Sequence, residues 1–231
     1  MTRTDSLPPL RPGRDAAPGA ARAYDRAERV SDAVVHLAAL IAALAAVPVL
    51  IALTAMWHGT LTGIVGVTVY GTSLIAMLGC SLAYNHVYHP GWTDRLRRLD
   101  LSAIYVKIAG TVTPFALLSG TGGVFLAAMW TAAVVATVTV FVRRARSTAL
   151  SIGIGLAMGW AVLLGGQAVI ATVSWPVLIL MVIGGVLYSV GTPFLVAQRL
   201  RFHNTIWHVF VVAASVIYFA AVLLHAAQQV G

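Results

Sequence analysis

The residues with the most chemical potential stand in Arg201-Phe202-His203-Asn204-Thr205-Ile206-Trp207-His208, just before a long apolar run. Imidazole can hold a metal or carry a proton, and placing it at the head of an apolar helix is costly. Register decides which side chains can cooperate. His203 and His208 are five apart and diverge around a helix, so the four-residue partner of His208 is Asn204. A second polar pair, Ser81 and Asn85, is also four apart and closes an earlier apolar run, with His86 next to it. Asp100 and Ser102 open another run, and Lys107 lies two turns beyond Asp100, facing the same way. His36 stands one turn into the first apolar run. In a reactive site, Asp100 would serve as general base or water-orienting group. His208 would be a metal ligand or acid/base, and Ser81 a positioning hydroxyl. Each has a plainer role as well. Asp100 can interact with a helix dipole, Ser102 can pack, His86 and His89 can sit at an interface, and His208 can donate to a backbone carbonyl.

The elements that would position these groups are membrane helices. Of 231 residues, 59% are hydrophobic and 10% charged, far below the charged fraction of a soluble domain. The expected fold is all-α, a seven-transmembrane helix bundle (residues 30–231) behind a disordered cytoplasmic tail (residues 1–29). A signal peptide is not expected, because the first apolar run is too long for one. A span needs about 20 apolar residues. Seven segments qualify: Ala33–Met56, Leu61–Tyr84, Leu101–Leu118, Val124–Val142, Ala149–Val169, Pro176–Ala197 and Ile206–Ala227. Gly165-Gly166-Gln167 and Ser174-Trp175-Pro176 offer two stops between the fifth and sixth. Cys80, the single cysteine, lies in an apolar run and excludes a disulfide or cysteine-based zinc framework within the chain.

The net charge of +8 does not mark a nucleic-acid binder, because the basic residues form short clusters between apolar runs. With seven spans, 14 of the 15 basic residues fall on one side, and Lys107 is the one inside the membrane. That places the N-terminus in the cytoplasm and the C-terminus outside. His36, Ser81, Asn85, Asp100, Asn204 and His208 then come to one depth, in the cytoplasmic leaflet. Lys107 should lean toward Asp100 or line a wet cavity. The expected partner is membrane lipid, and no nucleic acid.

Several stretches resemble the hemolysin III family, relatives of the progestin and adiponectin receptors. They are Glu28-x-x-x-Asp32-x-x-x-His36 (with Asp32 where Asn is usual), Leu99-Asp100-Leu101-Ser102-Ala103-Ile104-Tyr105 through Gly110-Thr111-Val112-Thr113-Pro114-Phe115, Met158-Gly159-Trp160, Gly184-Gly185-x-Leu187-Tyr188-x-x-Gly191 and Ile206-Trp207-His208-x-Phe210-Val211. The resemblance implies seven helices in a bacterial plasma membrane. It also implies zinc near the inner face, held by one His in the second helix and two in the seventh, with suspected lipid-amide hydrolysis. Carried over by position, Ser81, Asp100 and His208 match, but Asn85 and Asn204 stand where two imidazoles are usual. Neutral amides are weak zinc ligands, so the sequence gives no cofactor firmly, and His208 is the one metal-ligand position kept. Lys107 stands where the family is apolar, and its charge, supported by Asp100, would take the place of the metal.

The reading favoured from sequence is a non-enzymatic sensor, regulator or lipid-binding module built on this polar cavity (His36, Asn85, Lys107, Asn204). The alternatives are a metal-dependent lipid-amide hydrolase and a cytolytic or pore-forming protein.

Overall fold

A computed structural model describes residues 24–142 and 148–229. The first part of the tail, residues 1–23, and the basic cluster Arg143, Arg144 and Arg146 lie outside the described residues. The described chain is helical: α1 (Arg26–His58), α2 (Leu61–His86), α3 (Thr93–Ser119), α4 (Gly123–Val142), α5 (Thr148–Gly165), α6 (Gln167–Ile170), α7 (Trp175–Val196) and α8 (His203–Gln228). Six of these are long and apolar enough to cross a membrane, and α5 is a shorter apolar helix. The fifth expected segment is therefore broken. Gly166 interrupts it and leaves α6 as one turn before the Ser174-Trp175-Pro176 stop.

The largest departure from expectation is the start of α1. It begins at Arg26, two turns before the apolar run, because Asp25 and Glu28 form a capping box. The Asp25 carboxylate accepts from the Glu28 N–H at 2.8 Å, and Glu28 accepts from the Asp25 N–H at 3.0 Å. The added turns bring Glu28 and Asp32 into the protein, where both are buried. Glu28 also accepts from the backbone N–H of Phe202 at 2.8 Å. Phe202 has φ 60°, a left-handed conformation unfavourable for an aromatic residue, and this bond helps hold it at the entry to α8.

α3 is the central helix, packed against α2, α4, α5 and α8. α1 packs on α2 and α8, and α7 packs on α8 and α5. α1 and α2 pack tightly at Gly71, where an added Cβ would strike the Val47 side chain. Outward positions on α1 carry Val34, Ile41, Leu44 and Val49, all exposed, as a lipid-facing surface requires. At one end of the bundle α1 meets α8 through Tyr24 to His203 (2.7 Å) and Ser31 to Thr205 (2.9 Å). At the other, His58 donates to the Ala226 carbonyl (2.7 Å) and Ser119 meets His225 (3.2 Å).

Candidate functional site

α1, α2 and α8 bring their polar side chains together near the end where α1 and α8 begin. The centre is Asp32, His36 and His208, all buried. His208 Nδ1 donates to Asp32 Oδ1 at 2.7 Å. His36 Nδ1 donates to the Asp32 backbone carbonyl at 2.9 Å and lies 3.5 Å from Asp32 Oδ2. With both Nδ1 atoms donating, each ring presents an Nε2 lone pair. The two lone pairs point at one atom, the Ser81 hydroxyl oxygen, 3.2 Å from His36 Nε2 and 3.4 Å from His208 Nε2. The rings themselves are 4.0 Å apart, centroid to centroid. A hydroxyl has one hydrogen and can satisfy one of these lone pairs.

The two asparagines take a different role from metal ligation. Asn204 Nδ2 donates to Asn85 Oδ1 at 3.1 Å, and Asn85 Nδ2 donates to the Ser81 carbonyl at 2.8 Å and reaches the Ser81 hydroxyl at 3.4 Å. The amide oxygen of Asn85 is thus engaged with its neighbour. The ligand set implied by the family resemblance does not fit this chain. A different set does. Asp32, His36 and His208 each offer a donor atom, and these atoms lie within 4.8 Å of one another. Two imidazoles and a carboxylate suit zinc and similar first-row divalent cations. A third imidazole is close by. His86 Nε2 is buried and lies 3.3 Å from Asp32 Oδ2.

The sequence missed Asp32 as a functional residue and placed His86 at an interface. Both follow from the early start of α1, which draws Asp32 inward against the last residue of α2. The available signal was Asp32 and His36 themselves, two titratable groups four apart on one face of an apolar helix.

A cavity of about 210 Å³ opens beside this cluster, and His36, Ser81, Asn85, Asn204 and His208 all line it. Asp100 and Lys107 line it too, so one chamber gathers seven of the polar positions singled out from sequence. Ser102 is buried elsewhere with its hydroxyl unpartnered among the described residues. Lys107 does not pair with Asp100. Two turns separate them by about 10 Å along the axis, and the ammonium instead donates to the Tyr188 hydroxyl at 2.9 Å. The expected support of Lys107 by Asp100 is therefore replaced by aromatic support from α7 and α8. Outside the helices, the Asp25 carboxyl is held below its ordinary value, chiefly by the Glu28 N–H and, against some desolvation, by Arg201, whose guanidinium is 3.0 Å away.

A family model described as Haemolysin-III related matches residues 26–219. The chain is 34% identical to the Hemolysin-3 homolog of Bacillus subtilis (strain 168) over 201 residues, covering 86% of this chain and 94% of that protein. It is also 34% identical to Hemolysin-3 of Bacillus cereus over 206 residues, covering 86% and 91%.

Proposed function

We propose a function on a firm premise: the chain belongs to the Haemolysin-III related family and is a multi-pass cell-membrane protein. It binds a divalent transition metal at His36 and His208, with the Asp32 carboxylate behind the two rings, beside a cavity that admits membrane lipid, and it works as a lipid-binding sensor or regulator. The carrying observation is the pair of imidazole lone pairs converging on the single Ser81 hydroxyl, with the buried Asp32 carboxylate behind them. His36 and His208 would supply Nε2, while Asp32 fixes their tautomers and compensates the charge. A cation bound there would supply a Lewis acid and a fixed positive charge in the cavity wall. At about 210 Å³ the chamber is below the roughly 300 Å³ at which drug-sized pockets begin, so it takes a head group or one chain, and not a whole two-chain lipid.

The protein crosses the membrane seven times, with its N-terminus in the cytoplasm. Support comes from the start of α1 lying against the start of α8. Two helices that enter from one side need an even number of crossings from the first up to the second. α1, α2, α3, α4 and α7 make five, so α5 is the sixth. Its 18 residues rise about 27 Å, close to the hydrocarbon thickness. The basic loops put the shared end, and hence the site, on the cytoplasmic side.

The test is elemental analysis of the full chain purified in a neutral detergent. Stoichiometric zinc or a similar cation is expected, and it should be lost in Asp32→Ala and in His36→Ala/His208→Ala. A metal-free wild type after growth and purification with added zinc would overturn the assignment.

A second reading rests on Ser81 and Asp100 sharing the cavity wall with the imidazoles. In a hydrolase, Asp100 would orient water and Ser81 would position the scissile group. Turnover of a lipid amide by wild type, lost in Asp100→Asn, would decide for it. The names of the Bacillus relatives also bring a cytolytic reading, which a lysis assay on purified protein tests directly.

A further inference from the structure

We propose that Lys107, Tyr188 and Tyr218 form an anion seat in the cavity that takes the carboxylate head of a single-chain amphiphile. The proposal rests on the cavity as a lipid-binding chamber and is independent of the metal cluster.

Lys107 is 3% exposed, in the middle of the central helix. Its Nζ lies 4.7 Å from the Tyr188 ring centroid and 4.8 Å from that of Tyr218. Ring faces this close attract a cation through their quadrupoles. The Tyr188 hydroxyl accepts one of its three hydrogens, at 2.9 Å, and is itself bonded to Ser215 at 2.9 Å. Among the described residues, no carboxylate is within ion-pair distance of Lys107. A cation buried at membrane depth needs an anion to offset its desolvation, and none of the described side chains supplies one within ion-pair distance.

The missing charge must come through the cavity, because Lys107, Tyr188 and Tyr218 all form part of its wall. The rest of the wall near them is apolar, including Ile108, Val112, Phe115 and Met181. A small hydrated anion would be stripped of water there without return, whereas an anion carried on an alkyl chain gains burial for its tail. One ammonium matches one negative charge. A phosphate monoester near its second ionisation would leave excess negative charge in the chamber. A carboxylate meets the one-charge condition and is the head group assigned to the seat.

The experiment uses the full chain in neutral-detergent micelles and compares sodium decanoate, 1-decanol and decyl phosphate by thermal unfolding and by the ¹³C shift of carboxyl-labelled decanoate. Decanoate should bind at least about tenfold more tightly than decanol, the preference expected from one charge-assisted bond, and more tightly than decyl phosphate. Lys107→Met should abolish that preference, and Lys107→Arg should keep most of it. Asp32→Ala should lose metal and keep the preference for decanoate, which separates failure of this seat from failure of the metal assignment. Decanol binding as well as decanoate in wild type would overturn the seat even if Lys107→Met does not fold. Decyl phosphate binding best would overturn the carboxylate assignment.

Discussion

His208 Nδ1 donates to Asp32 Oδ1 across 2.7 Å and joins the last helix to the first at a buried position. The bond does two things. It gives the buried Asp32 carboxylate its shortest contact, and it fixes which nitrogen of His208 keeps its lone pair. Asp32→Asn retains the size and removes the charge. An amide can turn its NH₂ toward His208, shifting the proton to Nε2 and closing the lone pair that faces Ser81. We expect a folded protein less stable by about 1–3 kcal/mol, with metal content sharply reduced. Unfolding midpoints with elemental analysis check both, and a variant that retains the metal would show that His208 does not ligate through Nε2.

The amide pair should behave differently. Asn204→Leu removes the donor to Asn85 Oδ1, a bond of 3.1 Å between partly buried groups. Neither asparagine belongs to the Asp32, His36 and His208 cluster. The expected cost is about 1 kcal/mol, and metal content is expected to stay unchanged. Loss of metal in Asn204→Leu would move the ligand set back toward the positions usual in the family.

Much of this site was legible in the sequence because membrane helices make polar residues conspicuous. His36, Ser81, Asn85, Asp100, Lys107, Asn204 and His208 stood out by type, depth and four-residue spacing, and all seven line one cavity. What failed was reach and helix start. Hydropathy places the start of a span at the first apolar residue, but α1 starts where Asp25 and Glu28 cap it, and that earlier start carries Asp32 inward. Helical register shows that Lys107 and Asp100 share a face but cannot show that two tyrosines on other helices lie nearer to the ammonium. The break at Gly166 was visible as an ambiguity, and both candidate stops are used.

The aromatic wall of the lysine seat depends on a close helix contact. A Cβ added at Gly184 on α7 would lie 2.6 Å from Tyr218 Cε2 and 2.8 Å from Cδ2. Gly184→Ala must therefore push the Tyr218 ring away from Gly184, and that ring is one of the two beside Lys107. Overpacking of this kind costs about 1–3 kcal/mol, and the decanoate preference should weaken with it. Gly79→Ala is the control. Nothing lies within 4 Å of its added Cβ, so it should be neutral or slightly stabilising in an α-helix. Equal effects of the two substitutions on decanoate binding would separate Tyr218 from the seat.

The cap of α1 should be sensitive to acid. Asp25 is held below its ordinary value of 3.8, first by the Glu28 N–H and then, against desolvation, by Arg201. A carboxyl depressed in the folded state contributes stability that is present above the unfolded value and fades as pH falls through the folded one. Asn is as good an N-cap as Asp, so Asp25→Asn keeps the helix start while removing the charge. Wild type should be the more stable of the two at about pH 6, and the difference should fade as pH falls below the ordinary carboxyl range. Added salt should shrink it at the higher pH, because the Arg201 pair is exposed to solvent. Unfolding midpoints of the two proteins across that pH range check the sign, and a gap that widens in acid would place the stabilising charge somewhere other than Asp25.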